Sequence, residues 1–408
     1  MSNRLTILPT LRIKTLPNNQ IIITRKFVEA ILLYKKLWSG SVQVLLEETT
    51  GYIEDVDKQT IQITDLPFEL SVVSYDDKNL INYLEKSTVL ASASYRQNHI
   101  SQLCQTALAP CVYTAEYTLR TRRQIVDVTT SNILLRLRRR LWEENQERSQ
   151  QKAIALANGV HCNGVPIYEE YRSLNQNCLL FFDTRITEDL LATEDDIDQR
   201  TQCWSQNTPL RLLFSGRLTL MKGADHLLEV AQELERLGVN FKLFISGSGA
   251  LENAMEQRIQ ENGLSDRVTM MGVPNFRTEF LPFVKSNIDL FVCCHRQGDP
   301  SCTYIETMSC GVPIVGYANE AFEGMVEYSN AGWLVEIDQP KLLAAKIFEL
   351  DRCRNSIKSM SYASLKFART HTFNQTFQAR VQHLQTVATK TNQAYNPSLG
   401  LEAGLVPE

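Results

Sequence analysis

The feature that most constrains this chain is an alternation of short apolar runs with segments whose apolar residues repeat at helical spacing. In the second half the runs are LRLLFSG (210–216), FKLFISG (241–247), RVTMMG (267–272) and IDLFVCC (288–294), followed by PIVG (313–316) and GWLVE (332–336). Strands this uniformly apolar belong in a parallel sheet covered by helices on both faces. The first half alternates too. LTIL (5–8), VQVLLEE (42–48), SVVSY (71–75), TVLASAS (88–94), PCVYTAEY (110–117) and CLLFF (178–182) read as strands. Residues 23–38, 79–86 and 99–108 read as helices, and Asn163 of GVHCNG (159–164) can cap a further helix opening near Pro166. The expected fold class is α/β, with two Rossmann-like domains whose parallel sheets face each other across a cleft. Ligands of such sheets bind at the strand C-termini.

The expected boundaries are 1–186 for the first domain and 209–371 for the second. Asp183 to Pro209, with EDDID at 194–198, is polar and acidic and reads as an exposed connection, the linker proper being 187–208. The tail, 392–408, is expected to be flexible. A net charge of −4 supplies no global basic field, against a dedicated nucleic-acid binder. The 10 cysteines are scattered without a CxxC pair, as expected for reduced, mostly buried thiols of a cytosolic protein. No apolar stretch follows a basic start, and no run approaches the roughly 18 residues of a membrane span. The expectation is a protein neither secreted nor membrane-spanning.

The strand ends of the second half carry residues suited to an anion. FSGRLTLMKG (214–223) closes its strand with Gly216 and places Arg217 and Lys222 in a loop before a helix, both projecting at the cleft mouth where they can hold a diphosphate. In SGSG (246–249), Gly247 permits a tight turn and close approach by a ligand. The fourth strand runs into HRQGDPSCTYIETMSCGVPIVG (295–316), where Pro300, Ser301 and Thr303 favour helix starts and Gly311 and Pro313 favour stops. One short helix fits between them, with Glu306 on its second turn beside unpaired backbone N–H groups. Asp299 has two readings, a helix cap or a sugar contact. His295 is read as structural or as part of the site, and Cys302 and Cys310 as small packing residues.

From about Leu210 to Leu350 the order of SGRLTLMKG, ISGSGALE, VTMMGVP and ETMSCGVPIVG resembles the nucleotide-sugar domain of retaining glycosyltransferases of family 4, which have the GT-B fold. The resemblance implies that Arg217 and Lys222 bind the donor diphosphate, the backbone around Val273 the base, and Glu306 the ribose hydroxyls. It also implies that the N–H groups of Ser301, Cys302 and Thr303 face the phosphate or the sugar. By position, Glu116 in CVYTAEY stands where relatives carry a histidine or an acid facing the sugar. A C-terminal helix over about 372–390 is implied to pack back on the first domain. Two departures stand out. Relatives carry an acid eight residues before the position of Glu306, which here is Gly298, with Asp299 one step along. Relatives often have a Gly-Gly loop after the first strand, where this chain has LPNNQ (16–20).

These residues suit transfer of a sugar from a nucleoside diphosphate to a hydroxyl acceptor, a saccharide or a lipid-linked one. Charge on the leaving diphosphate grows as the bond breaks, so groups aimed at it lower the barrier. Each charge-assisted hydrogen bond from Arg217 or Lys222 contributes roughly 1.5–3 kcal/mol, and a helix start about 0.3–1 kcal/mol. Together they approach what a divalent ion supplies, so no metal and no cofactor are expected; Glu116, Arg217 and Lys222 are the catalytic candidates. Other glycosyltransferases hold a metal with Asp-x-Asp, but DVD (55–57) and DID (196–198) fall in charged connections. The rivals are a sugar-nucleotide epimerase of the same fold and a non-catalytic nucleotide-sugar-binding partner. The usual setting of such enzymes is surface polysaccharide or glycolipid assembly, in the cytoplasm. LRTRRQIV (119–126) and NILLRLRRRLWEE (132–144) hold seven arginines with leucines and a tryptophan between the later ones. They read either as a solvated helix face with its apolar side packed on the domain, or as a peripheral contact with the anionic inner membrane face through 119–144.

Overall fold

The computed structural model describes residues 4–49, 51, 58–202, 204, 205 and 208–395. DVD at 55–57 and 396–408 of the expected tail therefore lie outside the described residues, while 392–395 of that tail are helical rather than loose.

The first half runs β1 (Arg4–Leu8), β2 (Arg12–Leu16), β3 (Gln20–Thr24), α1 (Arg25–Leu37), β4 (Val42–Glu48), β5 (Lys58–Gln62), β6 (Glu69–Val72), α2 (Leu80–Leu84) and β7 (Ser87–Ser92). It continues with α3 (Ile100–Thr106), β8 (Cys111–Ala115), α4 (Leu119–Thr129), α5 (Ile133–Leu156), β9 (Gly159–Asn163), α6 (Val165–Tyr171) and β10 (Cys178–Phe181). α7 (Glu194–Gln202) follows. The second half is β11 (Leu210–Ser215), α8 (Ala224–Arg236), β12 (Phe241–Ser246), α9 (Glu252–Glu261), β13 (Val268–Gly272), α10 (Leu281–Asn287), β14 (Leu290–Cys293) and α11 (Cys302–Ser309). β15 (Ile314–Tyr317), α12 (Glu320–Ser329), β16 (Trp333–Val335), α13 (Pro340–Arg352), α14 (Arg354–Arg369) and α15 (Phe373–Tyr395) complete it.

The second sheet is wholly parallel in the order β13-β12-β11-β14-β15-β16. The order reverses between β11 and β14, which opens a crevice at their C-terminal ends. Leu212, Phe214, Leu243, Ile245 and Val292 bury one face against α8 and α13; Leu213, Phe291 and Ile314 bury the other against α10, α11 and α14. The first sheet has a parallel core, β10-β9-β8-β7-β1-β4, with β6 also on β4. The reading of this sheet as purely parallel needs correction at one edge, where β2, β3 and β5 form an antiparallel extension. LPNNQ is the turn between β2 and β3, where Asn18 and Asn19 adopt left-handed φ of 64° and 58°, a region asparagine tolerates. The loop that follows the first strand is instead 9–11.

Two further expectations change. The stretch 183–209 is not an exposed connection: α7 lies on the second domain with Ile197 fully buried. Arg200, also buried, donates to the carbonyls of Cys310 (3.0 Å) and Lys285 (2.8 Å), so a charge that looked solvated secures the end of α11. Asp196 and Asp198 of DID are engaged by Thr193, and by Tyr362 and Lys358. Asn163 does not cap α6; its Oδ1 accepts from the Asp183 N–H at 3.1 Å, and Gly164 holds the cap position. The chain crosses between the domains a second time after α14. α15 then places Phe377, Val381, Leu384 and Val387 in the core of the first domain beside Tyr34 and Ile31. No helix among the described residues is long and apolar enough to cross a membrane.

Candidate active site

The site is built at the ends of β11, β12, β13 and β14 on one side and of β8 and β10 on the other. Gly216 and Gly247 end neighbouring strands in contact: a Cβ on Gly247 would fall 1.9 Å from the Gly216 carbonyl oxygen. Backbone proximity therefore demands glycine there before any ligand does. Beyond Gly216 the chain exposes Arg217, buries Leu218 and tightens into one helical turn, 220–222. Gly223 ends that turn at φ 64°, where a Cβ would meet the Cys294 carbonyl oxygen at 1.9 Å. The MKG sequence is thus pressed onto the end of β14, and Lys222 is turned inward.

That changes the picture of two cations at the mouth. Arg217 is exposed there, but Lys222 is buried and its Nζ donates to both carboxylate oxygens of Asp299, at 2.9 and 2.7 Å. Burial would raise the Asp299 carboxyl, yet Lys222 outweighs it and holds the group below the usual carboxylate range. Asp299 is therefore no helix cap; Ser301 occupies that position, its side chain making no capping bond. Beneath the pair, burial and then Lys222 push His295 down to about 3, so its ring is neutral. Its Nδ1 lies 3.4 Å from the Tyr304 hydroxyl, while Nε2 has no hydrogen-bond partner among the described residues.

Ser301, Cys302 and Thr303 form the start of α11, and Glu306 is buried one turn on. Arg185 Nε donates to Glu306 Oε1 at 2.9 Å, and the guanidinium lies 3.9 Å from the Phe276 ring centroid. Sequence reading missed Arg185, which sits in a stretch read as connection. Val273, just past β13, is exposed. Cys302 is more than a packing residue: its thiol lies 3.3 Å from Asp183 Oδ2, and Lys26 Nζ reaches the same carboxylate at 2.6 Å. Burial opposes the Lys26 charge, but the Asp183 carboxylate outweighs it and holds the amine above its usual range. Cys310 is buried, as are most of the nine described cysteines, all unpaired.

Across the cleft stands Glu116, one residue past β8. Its side chain reaches solvent, yet protein crowds it, and this desolvation, then the charge of Asp183, raises its carboxyl. Two cavities of about 390 and 290 Å³ share Glu116, Thr114, Ser92 and Thr10. The larger is walled by Tyr95 and Trp142, packed edge to face at 5.4 Å, and by Glu143 and Gln146. The smaller is lined by Lys26, Asp183 and Arg380, whose guanidinium lies 4.4 Å from the Phe181 ring centroid. Tyr117 feels the charges of Glu116, Asp299 and Arg217, so the two halves of the site are electrostatic neighbours.

The basic stretch is two helices; α4 packs Val126 inward, whereas the apolar side of the first part of α5 does not pack on the domain. Ile133 and Leu134 are 76% and 78% exposed, with Leu137, Leu141 and Trp142 also open. Arg122, Arg123 and Arg140 pair with Glu147, Glu144 and Asp127, while Arg136 and Arg139 donate to the carbonyl and hydroxyl of Thr130.

Two facing sheets with strand ends meeting at one crevice define the GT-B class. The structure aligns with the crystal structure of Anabaena HepE in complex with UDP, at TM-score 0.67 and 13% identity over 94% of this chain and 99% of that one. WaaG, a glycosyltransferase involved in lipopolysaccharide biosynthesis, aligns at TM-score 0.55 and 14% identity over 93% and 99%. Residues 196–367 match the family model described as Glycosyl transferases group 1. The sequence is similar to the putative colanic acid biosynthesis glycosyltransferase WcaL of Salmonella typhimurium, 27% identical over 35% of this chain and 36% of that one. It is also similar to the alpha-D-kanosaminyltransferase of Streptomyces kanamyceticus, 30% identical over 30% and 32%. The chain spans about a third of the length of these curated relatives.

Proposed function

We propose that the chain is a retaining, metal-independent glycosyltransferase that moves a sugar from a nucleoside-diphosphate sugar to a hydroxyl acceptor in polysaccharide or glycolipid synthesis. The observation that carries this reading is the buried Lys222–Asp299 pair between exposed Arg217 and the start of α11, opposite Glu116. Arg217 and the N–H groups of Ser301, Cys302 and Thr303 meet the diphosphate. Lys222 joins them by sharing its three donors between Asp299 and a phosphate oxygen. The charge of the departing diphosphate is thereby met by groups already in place, which is where preorganised electrostatics contribute most. Asp299 serves twice, orienting Lys222 and offering the sugar an acceptor. Glu306, held by Arg185, receives the ribose hydroxyls, and the backbone at Val273 the base. Glu116 faces the anomeric carbon, where its carboxylate supports the positive charge developing on the ring.

The exposed apolar and basic face of α5 supports peripheral attachment to an anionic membrane, consistent with a lipid-linked acceptor. A panel of sugar nucleotides screened by thermal shift, then assayed for diphosphate release with and without acceptors, tests the assignment. Acceptor-dependent release that persists in EDTA is expected. An epimerised sugar nucleotide formed without acceptor indicates the epimerase, and binding without release from any donor indicates the non-catalytic partner. Loss in EDTA with recovery in manganese overturns metal independence.

A further inference from the structure

We propose that Glu320 is a positioning residue that clamps the Glu116 side of the cleft to the Asp299 side, and that glycine at 298 is what admits it. Gly298 has no room for a side chain: a Cβ there would lie 2.2 Å from Glu320 Cγ and 2.8 Å from its Oε1. Glu320 begins α12, behind Asn319, which caps that helix and donates to the His295 carbonyl at 3.0 Å. Its carboxylate thus comes from the second domain, fills the volume beside residue 298 and ends at the first turn of α4 in the first domain. There Thr118 donates to Oε1 at 2.6 Å and the Thr121 hydroxyl lies 2.8 Å from the same oxygen. The positive end of α4 adds a favourable environment for the anion. Gln124, a turn further along α4, accepts from the Gly298 N–H at 3.2 Å and reaches the Arg296 carbonyl at 3.4 Å.

Thr118 is two residues from Glu116, and Gly298 is next to Asp299. The Thr118–Glu320–Gly298 contact therefore sets the spacing between the group proposed to face the anomeric carbon and the group that holds Lys222. The absent acid at 298 ceases to be a gap: the space is taken by an acid from another helix, turned toward the opposite domain. This inference rests on the proposed transfer reaction for its kinetic consequence, but the clamp itself is testable without it.

The test compares the full-length wild type with Glu320→Ala, Glu320→Gln, Gly298→Ala and Gly298→Ala/Glu320→Ala. Hydrogen exchange is measured over 116–124 and 296–301, UDP affinity by calorimetry, and transfer kinetics with a donor found in the panel. Glu320→Ala is expected to speed exchange about ten-fold in both segments and lower kcat about ten-fold, with UDP affinity within about three-fold. Glu320→Gln keeps an acceptor oxygen and is expected to restore most of both. Gly298→Ala is expected to mimic Glu320→Ala, and the double variant to be no worse than either. Unchanged exchange, a rise in one segment alone, or losses in UDP affinity that match those in kcat would overturn the clamp. Should Glu320→Ala not fold, Thr118→Val/Thr121→Val removes the two hydroxyl bonds from the other side, leaving the Arg120–Glu320 pair at 3.7 Å, and is read by the same criteria with smaller effects expected. A wild type that transfers no sugar refutes the proposed reaction and leaves the exchange result standing.

Discussion

The two domains use the same alternation of strand and helix to opposite ends. In the second, one parallel sheet with a single order reversal gathers glycine turns, a buried lysine and a helix start at one crevice. In the first, the parallel core is widened by an antiparallel edge, and the first part of α5 leaves apolar side chains open to solvent while Ala153 and Ile154 near its end join the core. In the second domain the backbones at the strand ends are in contact: Gly216 against Gly247, Gly223 against the end of β14. The first offers cavities and a surface instead. For the reaction proposed above, a donor with an invariant diphosphate would suit the close-packed strand ends and a variable acceptor the cavities opposite. WcaL and the kanosaminyltransferase match about a third of the chain by sequence, whereas HepE aligns over 94% of it by fold.

The contrast can be broken most directly at Lys222. Lys222→Met, paired with Asp299→Asn so that no buried charge is left alone, is expected to cut turnover by about 10²–10³-fold. A steady-state assay alongside a melting curve checks it, and near-normal turnover in the folded variant would remove Lys222 from the chemistry. Glu116→Gln, on the other domain, is expected to lower kcat by about 10²-fold and leave UDP affinity unchanged. Its effect on stability has the opposite sign. The folded state raises the Glu116 carboxyl, so the favourable contribution is complete below the unfolded value and lost as pH rises through the folded one. Glu116→Gln should accordingly raise Tm relative to wild type at pH 8, and less so at pH 5; scanning calorimetry at both values decides it.

Smaller effects sharpen the comparison. Glu306→Gln is expected to weaken UDP binding about ten-fold or more, since a charge-assisted bond is lost; unchanged affinity by calorimetry would count against the ribose contact. Leu134→Glu/Leu137→Glu is expected to abolish co-sedimentation with phosphatidylglycerol vesicles while shifting stability by less than about 0.5 kcal/mol, because both side chains are exposed. Persistent sedimentation would place membrane contact elsewhere.

Some of this was legible from residues alone. The apolar runs of the second half announced their strands because the central ones, β11, β14 and β15, are buried on both faces, and MKG and SGSG announced turns because only glycine accepts such backbone approaches. Other parts were not. Lys58–Gln62 carries no apolar run and joins the sheet only because β3 offers it an edge. Arg200 and Arg185 looked like surface charges, and only the packing of α7 and the nearness of Glu306 give them partners. The sequence by itself determined the alternation, the second sheet and the set of residues at its strand ends, because hydrophobic periodicity and glycine chemistry act locally. Only the tertiary structure decided that Lys222 is already paired, that the leucines of α5 face water, and that Glu320 fills the space beside Gly298. Each of those depends on which distant segments meet, and one-dimensional spacing does not encode that meeting.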